Sequence, residues 1–152
     1  MNTGRGYNSP NSSDNYFVMT GKIAASGNVN SLLEEDEETA RTMSLANVDS
    51  TKYRCFPWLF NNCKALTTVP ELPAATIGDY TYKHMFDSCR NITQGPYLPA
   101  TALGYNSYND MFNGCTKLNS IKVAFTTWNT DWGVGAATGN WLPSNTGTFE
   151  CP

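Results

Sequence analysis

The chain has 152 residues, enough for one domain with a hydrophobic core. Charged residues make up 15% of the sequence, the net charge is -3 and no basic cluster is present, so nucleic acid is not an expected partner. The longest apolar runs are far shorter than the roughly 20 residues that a transmembrane helix needs. Residues 1–16 also lack the pattern of a signal peptide.

The N-terminal part of the chain is predicted to consist of a polar arm and a cap. Residues 1–14 are rich in Asn, Ser and Gly, a composition typical of a disordered arm. Residues 15–52 form the predicted cap, which begins with a strand at Tyr16. Ser31 and Glu34 have the spacing of a capping box, so we expect a short helix with Ser31 at its N-cap.

A 26-residue repeat occupies residues 53–126 and is the most informative feature of the chain. A fixed period of this length is typical of solenoids, in which each unit packs only against its neighbours. The sequence therefore predicts an α+β solenoid: a short leucine-rich-repeat stack of three repeats, with short parallel strands and helical turns, capped at both ends. The expected core residues of the repeats are Phe60, Cys63, Leu66, Phe86, Cys89, Ile92, Phe112, Cys115 and Leu118.

Each repeat is predicted to contain a helical turn followed by a short strand. The turns end in dipeptides that contain Asn, Ser or Gly, of which Asn and Gly tolerate the left-handed backbone. Proline lacks an amide hydrogen, so the strands of the first two repeats are expected to stop at Pro70 and Pro96. The turns are expected at 56–60, 82–86 and 108–112, and the strands near 66–69, 92–95 and 118–123.

Residues 127–152 no longer follow the repeat and are predicted to form a C-terminal cap. Three tryptophans lie in this segment. Trp128 and Trp132 could stack on sugars, anchor a protein partner or seal the end of the core. For Trp141 we favour the sealing role.

Three of the five cysteines, Cys63, Cys89 and Cys115, follow the repeat. Stacked repeats would place them close enough for disulfides, but small apolar thiols at equivalent core positions are the better interpretation. Cys55 and Cys151 lie outside the repeated positions, and their state stays open.

Few residues suggest catalysis. His84 is the only histidine, so neither a typical multi-histidine metal site nor a Ser-His-Asp arrangement is indicated. Activation of a cysteine thiolate by His84 is an alternative, which the core-like spacing of the cysteines disfavours. We predict no catalytic residue, no metal ligand and no cofactor.

Polar residues beside the predicted strands are expected to point away from the core and to form an extended binding surface. Glu71 and Tyr97 occupy equivalent positions, so this surface varies between repeats where the core does not. The predicted binding residues are Thr68, Glu71, Gln94, Tyr97, Ser120, Lys122, Trp128 and Trp132.

The pattern Phe60-x-x-Cys63-x-x-Leu66, continued by Pro70-x-Leu72-Pro73-Ala74, resembles BspA-like leucine-rich repeats. These occur in surface proteins of gut and oral anaerobic bacteria and of their phages. The resemblance covers about residues 16–151. It implies a non-enzymatic recognition or adhesion module, extracellular on a bacterial surface or a phage virion, that binds a protein or glycan through the repeat face.

Two departures from the family pattern keep alternatives open. The chain has only three repeats and no recognisable secretion signal, which leaves room for a phage virion protein. One alternative is therefore a structural decoration or fibre subunit that assembles into a homo-oligomer or into a virion. A lectin that uses the Trp-rich 126–142 loop is the other.

Overall fold

The computed structural model describes residues 21–32, 36–42, 44–45, 56–126 and 148–150. These contain small sheets of short parallel strands, and no helix among them is long and apolar enough to cross a membrane. The elements are β1 (Ile23–Ala24), a 3-10 helix (Val29–Leu32), α1 (Glu37–Thr42), β2 (Leu66–Thr68), β3 (Thr76–Ile77), β4 (Gln94–Leu98), β5 (Ala102–Leu103), β6 (Ser120–Val123) and β7 (Thr148–Glu150). The predicted strand at Tyr16 and the residues Cys55, Trp128, Trp132, Trp141 and Cys151 lie outside the described residues.

The described strands form three parallel sheets, β1–β2, β3–β5 and β4–β6–β7. The pairing of β3 with β5 joins Thr76 to Ala102, and the pairing of β4 with β6 joins Gln94 to Ser120. Both pairs connect residues 26 apart. Equivalent residues of successive repeats therefore lie side by side, as the period of the sequence predicts.

The segments before the cysteines are runs of hydrogen-bonded turns, so the prediction of helical turns is wrong. The amide of Leu59 donates to the carbonyl of Phe56, three residues earlier, at 3.3 Å. The amide of Phe56 instead donates to Thr81 of the next repeat at 2.9 Å, and that of Phe60 donates to Met85 at 2.9 Å. Every second amide thus bonds within its own repeat, and the amides between them bond to the neighbouring repeat.

A left-handed backbone explains why no helix forms here. The φ angle is 58° at Trp58, 54° at His84 and 52° at Asp110, which are equivalent positions in the middle of the three segments. A residue in this conformation interrupts a right-handed helix. The left-handed conformation predicted for Asn and Gly at the ends of these segments is confirmed at Asn62 and Gly114, with φ angles of 60° and 69°. Ser88, at the equivalent position of the second repeat, is also left-handed, with a φ angle of 63°.

Two columns of stacked aromatic rings run through the core. One consists of Phe60, Phe86 and Phe112, whose ring centroids are 5.5 and 5.7 Å apart. The other consists of Phe56, Tyr82, Tyr108 and Phe125, whose centroids are 5.8, 5.7 and 6.0 Å apart. The predicted core residues Phe60, Cys63, Leu66, Phe86, Cys89, Ile92, Phe112, Cys115 and Leu118 are all buried.

The helix of the N-terminal segment starts later than predicted. Asp36, and not Ser31, caps it: Asp36 Oδ2 accepts a hydrogen bond from the amide of Thr39 at 2.7 Å. Hydrogen bonds from the side chain and the amide of Thr39 lower the pKa of Asp36. The hydroxyl of Ser31 donates to the carbonyl of Asn28 at 2.6 Å and lies in the 3-10 helix.

Pro96 lies inside β4, so the prediction that the strand stops there is wrong. Gln94 pairs with Ser120 and Tyr97 pairs with Lys122, which places a bulge between the two pairs. A bulge accommodates proline in a strand because the extra residue is left out of the ladder. Pro70 follows β2, as predicted.

The turn after β5 packs directly on the turn after β3, and glycine makes this possible. A Cβ atom at Gly104 would lie 2.2 Å from the carbonyl carbon of Gly78 and 2.4 Å from the amide nitrogen of Asp79. Both are backbone atoms, so the two turns would have to move apart. Residue 104 must therefore have no side chain if the repeats are to stay in contact here.

We expect Gly104→Ala to lower the free energy of unfolding by about 3 kcal/mol, at the upper end of overpacking effects, because backbone atoms and not a flexible side chain oppose the new methyl group. Urea denaturation monitored by circular dichroism measures this. Thr101→Ala, at an exposed neighbouring position, is the control and should change stability little. Equal unfolding midpoints for Gly104→Ala and the wild type would contradict the close approach of the two turns.

Candidate binding groove

The stack of repeats opens on its strand side between the first and second repeats. β2 pairs with β1 and β4 pairs with β6, but β2 and β4 are not paired with each other. Residues 67–73 of the first repeat and residues 93–97 with Pro99 of the second line a cavity of about 650 Å³ between them. We call this cavity the groove.

The missing hydrogen bonds locate the opening. The amide of Asn119 in the third repeat donates to the carbonyl of Thr93 in the second at 2.9 Å. The equivalent bond one repeat earlier, from Thr93 to Thr67, is absent among the described residues. The ladder is therefore closed between the second and third repeats and open between the first and second.

The open interface is the one at which both repeats carry proline. Pro70 and Pro96 are equivalent residues of the first two repeats and both line the groove. Neither has an amide hydrogen, so neither can donate across the gap. The third repeat has Lys122 at this position, and β6, which contains it, pairs with β4. The ladder is closed at the interface where the later repeat has Lys122 and open at the interface where both repeats have proline.

The rim of the groove contains four of the predicted binding residues, Thr68, Glu71, Gln94 and Tyr97. All four are exposed, and 51% of Tyr97 is accessible, which is high for a large aromatic residue. The floor is apolar and is formed by the buried residues Pro70, Leu72 and Pro96 and the half-buried Val69. The sequence identified the rim, but not these floor residues.

The charges near the groove are largely paired. Arg41 Nη1 lies 3.2 Å from Glu71 Oε2, and Lys122 Nζ lies 3.6 Å from Glu150 Oε2. Both pairs are exposed and contribute little to stability. They do reduce the net charge that a ligand would meet at the rim.

Two other predicted binding residues lie beside the groove. Ser120 and Lys122 belong to β6, which pairs with β4 on the side away from the first repeat. Ser120 is half-buried between β4 and β7, so it is a poor contact for a ligand. Lys122 is exposed, and its Nζ lies 5.9 Å from the centroid of the Tyr97 ring, where it supports one face of that ring.

His84 contacts carboxylates. Its Nδ1 lies 2.9 Å from Asp87 Oδ2, its Nε2 lies 3.8 Å from Asp110 Oδ2, and its ring stacks on Trp58 at 5.5 Å between centroids. The hydroxyl of Ser88 donates to the other oxygen of Asp87 at 2.9 Å. His84 thus takes part in the contacts between successive repeats, and no thiol is among these partners.

The cysteines of the repeat are buried thiols, as predicted. The Sγ of Cys89 donates to the carbonyl of Phe60, and the Sγ of Cys115 to that of Phe86, both at 3.0 Å. Burial raises the pKa of Cys63 to about 11, raises the pKa of Cys115 to about 12, and also raises the pKa of Cys89. A thiol with a raised pKa is a poor nucleophile at neutral pH because little thiolate is present.

The sequence matches no model of a protein family, and comparisons with curated proteins and with solved structures found no match. The assignment of a function therefore depends on the groove and on the residues themselves. The described residues contain no group of three or more His, Cys, Asp or Glu side chains that could hold a metal ion.

We expect the three repeat cysteines to resist alkylation in the folded protein, since their raised pKa values leave almost no thiolate at about pH 8. A Cys55→Ser/Cys151→Ser variant removes the other two thiols. Treatment with iodoacetamide followed by mass spectrometry should show no label on the native variant. The same variant in urea should carry three labels, and rapid labelling without urea would show that the thiols are reactive.

Proposed function

We propose that this chain is a non-enzymatic recognition module, built as a short solenoid, that binds a protein or glycan in the groove. The observation that carries the proposal is the opening between the first two repeats, whose rim holds Thr68, Glu71, Gln94 and Tyr97. Its form supports binding, because ligand sites are commonly concave and apolar with a few polar groups that fix orientation. Its volume of about 650 Å³ also lies in the usual range for such sites.

The solenoid part of the proposal is supported by the contacts between repeats. Paired strands, amide-carbonyl hydrogen bonds and stacked rings all join residues of one repeat to near-equivalent residues of the next. We further propose display on a bacterial surface or a phage particle. Support for this location comes from the resemblance to BspA-like repeats.

We expect Tyr97→Ala to weaken ligand binding by about 10-fold or more, because exposed aromatic residues beside an apolar floor often dominate binding energy. Gln94→Ala should also weaken binding, by a smaller factor. Ligands are first found by screening a glycan array and a displayed random peptide library against the wild-type chain. The affinities of the variants are then measured by isothermal titration calorimetry.

The matched control is Tyr105→Ala. Tyr105 is also a tyrosine with 37% of its surface exposed, and it does not line the groove. The control should bind as the wild type does, and thermal melting checks that each variant is folded. Binding that survives Tyr97→Ala and Gln94→Ala but is lost on Trp128→Ala or Trp132→Ala would reject the groove and support a lectin that uses the Trp-rich loop.

A further inference from the structure

We infer that the groove binds an extended segment of a partner protein, which adds a strand between β2 and β4. This inference rests on the proposed function, since it names the class of ligand that the groove accepts. Strand addition supplies affinity through main-chain hydrogen bonds and specificity through alternate side chains. The groove offers the partners for both.

Backbone groups on both sides of the groove lack hydrogen bonds within the described part of the chain. They include the amides of Leu72 and Thr93 and the carbonyls of Pro70 and Leu72. Unpaired backbone groups at a sheet edge are a template for pairing with another chain. Here two such edges face the same cavity.

The backbone contacts of Glu71 indicate the direction in which the neighbouring N–H and C=O groups of the first repeat point. The amide of Glu71 donates to Gly27 at 2.7 Å, and its carbonyl accepts from Val29 at 3.1 Å. Both contacts lie on the side of β1, away from the second repeat. Because successive backbone groups of an extended chain point to alternate sides, those of Pro70 and Leu72 point toward the groove.

An inserted segment would join two existing sheets. β1–β2 ends at one side of the groove, and β4–β6–β7 ends at the other, and all of these pairs are parallel. A strand between them would make one continuous sheet. A polypeptide fits this place better than a sugar, because it carries donors and acceptors along both of its edges at a spacing that matches a strand.

The residues that line the groove determine the length and the side chains of the peptide that would fit it. Each side provides five to seven consecutive residues, which corresponds to an extended ligand about 15–20 Å long. The apolar floor of Val69, Pro70, Leu72 and Pro96 accepts apolar side chains at every second ligand position. Since Arg41 is paired with Glu71, the rim favours a segment of low net charge.

The test begins with a twelve-residue random peptide library selected against the full chain, beside a glycan array. An enriched peptide is resynthesised with each amide replaced in turn by an ester, which removes one N–H donor and keeps the side chain. Esters within a run of five to seven consecutive residues should weaken binding about 3- to 10-fold each, as lost hydrogen bonds do. Alanine replacements in that run should weaken binding at every second residue.

Hydrogen exchange measured by NMR gives an independent readout of the same inference. The amides of Leu72 and Thr93 should exchange more slowly when the peptide is bound. The Tyr97→Ala variant should lose both the affinity and the protection, while Tyr105→Ala should keep both. Protection that appears only outside the groove would overturn strand addition at this place.

The remaining outcomes separate the two proposals. Peptide binding that is lost on Tyr97→Ala but is insensitive to every ester would overturn strand addition and keep the groove as a recognition site. Glycan binding in the groove without peptide binding would do the same. A concentration-dependent dimer that Tyr97→Ala dissociates would identify a second copy as the occupant and overturn a partner protein. If no ligand loses affinity on Tyr97→Ala or Gln94→Ala, both proposals are overturned.

Discussion

The hydrogen bonds between successive repeats are the constraint on which the described structure depends. They continue beyond the strands, because alternate amides of the turn segments, such as those of Phe56 and Phe60, also donate to the next repeat. The same spacing stacks rings of equivalent residues, including Phe86 on Phe60 at 5.5 Å. Since buried backbone groups must be paired, a fixed period in the sequence is the simplest way to satisfy them all at once.

Periodicity made the core predictable from the sequence. Residues such as Cys89 and Ile92 recur at equivalent positions, and the structure buries them, because only positions that face inward are held to one kind of side chain. The exposure of Thr68, Glu71, Gln94 and Tyr97 was predicted from their places beside the strands of the repeat. Periodicity does not specify the local backbone. It therefore did not predict the left-handed backbone at Trp58 and His84, nor the turns that replace the expected helices.

The groove was harder to predict, because it arises from a difference between repeats. The prolines were visible in the sequence, and their effect was assigned to the ends of single strands. They also distinguish the two interfaces: Pro70 and Pro96 lack amide hydrogens and line the open one, while the third repeat has Lys122 at this position and its strand pairs with β4. A comparison of adjacent repeats position by position would have revealed this signal. The roles of the tryptophans at 128 and 132 stay predictions.

The opening between repeats that carry proline has a consequence for how such chains can diverge. Because the repeated unit is 26 residues long, duplication of one unit would lengthen the stack without changing its ends. If the duplicated unit carries the prolines of the second repeat, each copy would bring a new opening with it. If it carries the lysine of the third, the added interface would be closed. Substitutions at the two proline positions of the repeat, 96 and 99 in the second unit and 122 and 125 in the third, would thus change how many openings the lengthened protein has.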